Sequence, residues 1–351
     1  MARVLITGGA GFIGSNLADR LLRQGHEVTI FDNLSRFASE FRLEWLRAAH
    51  GPGGFRLVNA NLTDFDLLLR AVDGAERIYH LAGQVAVTAS VQNPRQDFQD
   101  NILGTFNVLE AARLAARGAV FIHASTNKVY GSMKQISVVE EPTRYGYADL
   151  PFGVSENQPL DFHSPYGCSK GAGDQYARDY SRIFGMRTVV MRQSCIYGCR
   201  QFGMEDQGWL AWFVIAALNG YPITIYGNGK QVRDVLFVDD LLDIYEAAIR
   251  HIDIAAGQIY NVGGGPKHTL SVWTEFGPML EELLDRKINV IYAEPRPGDQ
   301  RIYISDIRKA ERELDWRPCL SVSEGVGRFL KWAQDHQELF KNGFFRNLPG
   351  W

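Results

Sequence analysis

Through the first half of this chain, short unbroken apolar runs alternate with stretches whose apolar positions recur every three or four residues. Arg3-Val4-Leu5-Ile6-Thr7, Glu27-Val28-Thr29-Ile30-Phe31, Phe55 to Asn59, Arg77 to Leu81, Val120 to Ala124 and Arg187 to Met191 read as strands. Runs that are apolar at nearly every position predict strands covered on both faces. Between them, Ser15 to Arg23, Asp64 to Val72, Asn101 to Arg117 and Tyr166 to Phe184 read as helices. Strand alternating with helix predicts an α/β fold built on a doubly wound parallel sheet. Past about residue 195 the alternation fades. Short strands at Ile223 to Ile225 and Ile288 to Ile291, with helices at Asp240 to Arg250, Val272 to Leu284 and Val322 to Asp335, suggest a smaller, less regular part. The expected division is therefore 1–195 and 196–351, with some interleaving, and the tail Asn342 to Trp351 is punctuated by Gly and Pro.

The first strand runs straight into Gly8-Gly9-Ala10-Gly11-Phe12-Ile13-Gly14 and then a helix. Gly8, Gly11 and Gly14 suit a tight turn, a close approach to pyrophosphate and helix-on-strand packing, as in the Rossmann fold. The helix N-terminus behind them offers free N–H groups to phosphate. The second strand ends at Asp32-Asn33, about 20 residues on, where an acid holds the adenosine ribose. A carboxylate accepts from the 2′-hydroxyl and repels a 2′-phosphate, so NAD is favoured over NADP, with Arg36 as the residue that could meet a phosphate. Open sheets of this kind bind ligands beyond the carboxyl ends of their strands. Gly8, Asp32, Asn61, Ala82-Gly83-Gln84, Thr126 and Gln193 all fall there.

In Ser164-Pro165-Tyr166-Gly167-Cys168-Ser169-Lys170 a phenol and an ammonium stand one helical turn apart and share a face. An ordinary tyrosine titrates near ~10, and a nearby cation favours its phenolate. Bringing it to about 7 requires roughly 4 kcal/mol, which Lys170 and a positively charged nicotinamide could supply together.

Composition narrows the setting. The 351 residues are 46% hydrophobic and 22% charged with net charge −3, which gives no electrostatic case for nucleic acid or an anionic membrane. The opening Met1-Ala2-Arg3 enters the first strand at once, and no uncharged run approaches the ~20 residues of a membrane span, so a cytoplasmic protein is expected. Cys168, Cys195, Cys199 and Cys319 are scattered, and no second ligand pair accompanies Cys195 and Cys199, so no metal is expected.

The glycine motif and the Tyr166/Lys170 pair together resemble the extended short-chain dehydrogenase/reductase family, which modifies nucleotide sugars. The resemblance runs from Arg3 to about Asp335 and includes His80-Leu81-Ala82-Gly83, Asn101-x-x-Gly104-Thr105 and Val129-Tyr130-Gly131. Gly227-x-Gly229-x-x-x-Arg233-Asp234, Val238-Asp239-Asp240-Leu241 and Arg296-x-Gly298-Asp299 follow later. It implies catalysis by Thr126, Tyr166 and Lys170. It implies cofactor contacts from Gly8, Gly11, Phe12, Ile13, Gly14, Asp32, Asn33, Ser35 and Arg36. Further contacts are implied from Asn61, Leu62, Leu81, Ala82, Gly83, Gln84 and Asn101, with Tyr166 and Lys170 at the nicotinamide end. Substrate contacts would come from Gln84, Thr88, Asn127, Gln193, Ser194, Arg200, Gln201, Arg233, Arg296 and Asp299, the arginines serving a diphosphate. Two departures matter. Asn61 stands where the family has an adenine-edge Asp, and Arg192-Gln193-Ser194-Cys195 replaces the Arg-x-x-Asn of UDP-galactose 4-epimerases.

After Thr126 the family's 4,6-dehydratases carry Asp-Glu and its decarboxylases carry a Glu two residues on; here Asn127 and Lys128 follow. The resemblance thus implies redox-neutral epimerisation, with net reduction or dehydrogenation as the alternative. Segments Leu81 to Ala86, Ser125 to Gly131, Leu160 to Gly171 and Gly229 to Leu236 are similar to the CDP-sugar 2-epimerases of the family, which makes a CDP-linked sugar the favoured partner over a UDP-sugar. The helix pair Asn101 to Arg117 and Tyr166 to Phe184 implies a homodimer or homotetramer.

Overall fold

The computed structural model describes residues 1–296 and 300–340. Seven strands form its central sheet: β1 Arg3–Thr7, β2 Glu27–Asp32, β3 Arg56–Asn59, β4 Arg77–His80, β5 Val120–Thr126, β6 Arg187–Gln193 and β7 Ile259–Val262. Their spatial order is β7-β6-β5-β4-β1-β2-β3 and every pairing is parallel. The chain leaves β1 toward β2 and β3, then crosses back to place β4 on the other side. That reversal opens a crevice between β1 and β4 at their carboxyl ends.

Side chains alternate across each strand, and both faces are apolar because both are covered. Val4, Ile6, Ile30, Ile122 and Met191 pack under helices Phe12–Arg23, Ser39–His50 and Val238–Arg250. Leu5, Phe31, Ile78, Phe121 and Val190 pack on the opposite side with Leu68, Val108, Leu109 and Tyr180. A separate core lies under the C-terminal part, where helix Trp209–Asn219 inserts Leu210, Trp212, Val214 and Ile215 among Ile223, Phe276, Phe329 and Phe340.

Several elements differ from expectation for identifiable reasons. The helix expected from Asn101 starts as a π-helical turn, Phe98–Leu103, and continues as Gly104–Ala115. That turn buries Asn101. The helix expected from Val272 starts at Phe276, because Val272 and Trp273 donate their N–H groups to Gln231 O and Gly229 O. The strand expected at Ile288 to Ile291 lies at Val290–Ala293, pairing with Ile223–Tyr226. Beyond residue 195, β7 and helix Val238–Arg250 return to the central sheet, in keeping with the interleaving allowed for in the expected division. The expected features of Asn342 to Trp351 lie outside the described residues. Among the described residues, no helix is long and apolar enough to cross a membrane, and no group of three or more His, Cys, Asp and Glu side chains is placed to hold a metal.

Candidate active site

At the crevice, Gly8 adopts φ +71°, and a Cβ there would lie 2.7–2.9 Å from the backbone of Leu81 and Ala82. Gly14 is held harder still, since a Cβ would sit 2.2 Å from Gly8 O and 2.6 Å from Gly9 Cα. Helix Phe12–Arg23 therefore packs directly on the glycine turn, and its N-terminus has no side-chain cap. The uncapped N–H groups remain available to a phosphate. Because backbone cannot yield as a side-chain tip can, Gly14→Ala should abolish dinucleotide retention. The check is nucleotide released on denaturation; retention at the wild-type level would show that the turn is looser than this geometry.

Asp32 closes the far side of the turn. Its Oδ2 accepts from Ala10 N at 3.0 Å and its Oδ1 from Leu34 N at 2.9 Å. Burial raises the carboxyl's pKa, while these two N–H groups and the Arg42 guanidinium oppose the rise. Asn33 organises the next turn by accepting from Ser35 N and Ser35 Oγ. Arg36 donates to Gln207 across the opening. Asn61 Oδ1 accepts from Thr63 N and Thr63 Oγ1, each at 3.1 Å, so the Asn that replaces the family Asp shapes its own turn.

A cavity of about 560 Å³ runs from these residues to the ends of β5 and β6. Gly8, Gly11, Phe12, Ile13 and Gly14 form its floor, with Asp32, Asn33, Ser35, Arg36, Asn61 and Leu62 toward one end. Leu81, Ala82, Gly83 and Gln84 line it from β4, and Thr126, Tyr166, Lys170, Gln193 and Gln201 complete the wall. The residues fit a dinucleotide: a cradle that admits no Cβ, unclaimed helix N–H groups, and an acid at the ribose position all open on this one space.

Tyr166 lies in the first turn of helix Ser164–Phe184 beside Pro165, and the Tyr166 N–H donates to Ser90 Oγ at 3.1 Å. Lys170, one turn on, donates from Nζ to Ala124 O at 2.6 Å. Thr126 ends β5, and its Oγ1 accepts from Lys128 N. Burial pushes the Tyr166 phenol up to about 12; the adjacent Thr126 hydroxyl opposes this and the Asp97 charge adds to it. Burial brings Lys170 down to about 8, against the pull of Asp174 and Asp97. The expected lowering of Tyr166 toward neutrality is therefore not a property of the protein alone. Desolvation dominates, and the four-residue spacing to Lys170 does not by itself bring the phenol down.

Seven expected site residues do not line the cavity. Asn101 donates from Nδ2 to Gln84 O at 3.0 Å and to Asp97 Oδ1 at 2.9 Å, so it holds the Gly83-Gln84 loop from behind. Thr88 donates to Asp206 at 3.0 Å, and buried Asn127 accepts from Thr126 at 3.3 Å. Ser194 is buried and donates to Asp234 at 2.6 Å. Arg200 stacks on Trp45 at 3.9 Å and donates to Asn16. Arg233 is buried, donating to Val232 O and Gln300 O at 2.7 Å each. Arg296 meets Asp206 at 3.2 Å and stacks on Tyr226 at 3.9 Å. Each arginine thus has protein partners where a free diphosphate-binding group was expected. Asp299 lies outside the described residues.

The cavity also includes Asp100, Ser125, Arg42, Cys195 and Trp209, which sequence reasoning missed. Ser125 adjoins a predicted strand end and could have been found by position. Arg42 sits on helix Ser39–His50, which carries no capping signal at Ala38, and Trp209 starts a helix apolar on every side.

These features define a dinucleotide-binding α/β protein whose Tyr-x-x-x-Lys pair lines the same cavity as its glycine cradle. Residues 5–329 match the family described as GDP-mannose 4,6 dehydratase, and the chain belongs to that family, within the extended short-chain dehydrogenases/reductases. It is 43% identical over 338 residues to the CDP-paratose 2-epimerase of Salmonella typhi, covering 94% of this chain and 99% of that protein. It is similar to the solved UDP-glucose 4-epimerase of Thermus thermophilus in complex with NAD, with TM-score 0.79, 30% identity, and 95% and 99% of the two chains covered. The dTDP-glucose 4,6-dehydratase of Streptomyces venezuelae, solved with NAD, gives TM-score 0.81 and 28% identity over 97% and 99%.

Proposed function

We propose that this chain is an NAD-dependent isomerase that inverts C2 of a CDP-linked hexose or dideoxyhexose, converting CDP-paratose to CDP-tyvelose. The observation that carries the reading is local. Thr126, Tyr166 and Lys170 face the same cavity as the glycine cradle, and Asn127-Lys128 follow Thr126 where a dehydratase needs acids. Neither side chain can supply the acidic proton that expels water from a sugar. The 43% identity to a CDP-paratose 2-epimerase supports the CDP sugar and the C2 position.

When bound, the nicotinamide supplies reversible hydride uptake, so a secondary alcohol can become a ketone and return inverted. Tyr166 accepts the hydroxyl proton and gives it back to the ketone oxygen. Thr126 orients that hydroxyl at the end of β5. Lys170, fixed by Ala124 O, provides the adjacent positive charge that favours the phenolate. A phenol held near 12 keeps its proton in the cofactor-free protein, so base strength arises only in the complex. Exposed Leu114, Tyr176 and Ile183 on the helices expected to pair support a homodimer or homotetramer built through them.

A redox-neutral cycle needs no exchange of cofactor. Denaturing the purified protein should release about one NAD or NADH per chain, read by chromatography at 260 and 340 nm. Recovery of NADP instead would overturn the role given to Asp32. For the substrate, proton NMR of CDP-paratose with the enzyme should show a 2-epimer accumulating without net NADH, beside inert UDP-glucose. Inversion at C4 of UDP-glucose with the CDP sugar untouched would sink the C2 assignment and leave a UDP-sugar 4-epimerase. Accumulation of NADH or NAD in step with sugar would point to a dehydrogenase or reductase instead.

A further inference from the structure

Beneath Tyr166 and Lys170 lies a carboxylate that the mechanism above does not use. Asp97, on the short helix Pro94–Asp97, is 1% exposed and does not line the cavity. Its Oδ2 accepts from Ser169 Oγ at 2.5 Å and its Oδ1 from Asn101 Nδ2 at 2.9 Å. Ser169 is the residue before Lys170 on the catalytic helix, and Asn101 holds Gln84 O at the cofactor loop. One buried carboxylate therefore ties the turn that presents the base to the turn that supports the dinucleotide.

We propose that Asp97 is a positioning residue of the reaction, clamping the Tyr166–Lys170 turn to the Asn101 turn and setting the electrostatic field in which Tyr166 loses its proton. The proposal rests on Tyr166 acting as the base. A buried negative charge is costly unless donors satisfy it, and a site that needed only packing would be served by an apolar side chain. Here two donors are provided, and the charge lies beside two groups of opposite sign requirement. It favours the Lys170 ammonium and opposes the Tyr166 phenolate. The other groups around the pair are Asp174, which also favours charged Lys170, the Thr126 hydroxyl, and the buried imidazoles His80 and His123, whose pKa values burial lowers so that they stay neutral. Asp100, one turn further along, feels Asp97 as well. The consequence is a phenol that holds its proton until the positively charged cofactor is in place, alongside a lysine that keeps its charge despite burial.

The test reads Tyr166 without any sugar nucleotide, so it stands whether or not the CDP assignment does. Tyrosinate absorbance near 295 nm is titrated in the purified holoenzyme, with the Tyr166→Phe form of each variant subtracted. Asp97→Asn, which keeps the shape and removes the charge, should move the Tyr166 midpoint to lower pH. Ser169→Ala, which keeps the charge and removes one clamp bond, should not lower it. If Asp97→Asn does not fold, Asp97→Ser removes the charge without adding a buried amide and carries the same expectation. A midpoint unchanged or raised on removing the charge overturns the proposal. So does a midpoint lowered equally by Ser169→Ala, because the effect would then come from loosened packing.

Discussion

Tyr166→Phe should cut turnover by about 10²–10⁴ while leaving the fold and the bound dinucleotide in place. The ring remains, and Tyr166 is 7% exposed, so packing on helix Ser164–Phe184 changes little. What disappears is the phenol oxygen that hydrogen-bonds with the Thr126 side chain in the cavity. Lys170 does not substitute for it. Its ammonium donates to Ala124 O, and with burial bringing it down only to about 8 it is mostly protonated at neutral pH and a poor proton acceptor there. The measurement is kcat with the accepted sugar nucleotide, together with NAD content per chain. Turnover close to wild type with NAD retained would show that another group takes the proton.

Asp174→Ala is expected to be the most damaging change to stability, by about 3–5 kcal/mol. Asp174 on helix Ser164–Phe184 is fully buried, as is Arg192 on β6, and the two form a paired contact with both N···O distances 2.9 Å. Ser125 Oγ also donates to Asp174 at 2.7 Å, and Arg192 reaches Tyr130 OH at 3.0 Å, which in turn donates to Asn261 Oδ1 at 2.7 Å. The network joins β5, β6, β7 and the helix that carries Tyr166. Losing the carboxylate leaves a guanidinium in the interior without its counter-ion, and that uncompensated charge accounts for most of the cost. Replacing both partners together, as in Asp174→Leu with Arg192→Met, should recover much of the loss, because neither charge is then buried alone. Urea denaturation distinguishes the two cases. A single variant within about 1 kcal/mol of wild type would mean that water reaches Arg192.

The strand at Arg3–Thr7, the glycine turn after it, Asp32 at the end of β2 and the Tyr166–Lys170 turn were all legible in the chain. Each is a local pattern: an apolar run, a residue without Cβ, an acid at a strand end, a four-residue spacing. Helix Ser39–His50 was not legible, because it begins at Ala38 in a left-handed conformation with no side-chain cap. Helix Trp209–Asn219 was missed because a helix buried on every side has no polar face to reveal its period.

The same division holds within the site. Local sequence was enough to place Gly8, Asp32, Thr126, Tyr166 and Lys170 at one edge of a parallel sheet, since strand ends and helical spacing are short-range properties. Partners across the molecule decided everything else. Ser194 turned to Asp234, Arg233 to the carbonyl of Gln300, Arg296 to Asp206, and Asn101 to Gln84 and Asp97. A polar side chain goes where its hydrogen-bonding capacity is satisfied, and for a buried one that place is set by residues tens of positions away. The pKa of Tyr166 follows the same rule: spacing put a lysine one helical turn on, but tertiary burial, with Asp97 brought in from another helix, raised the phenol to about 12.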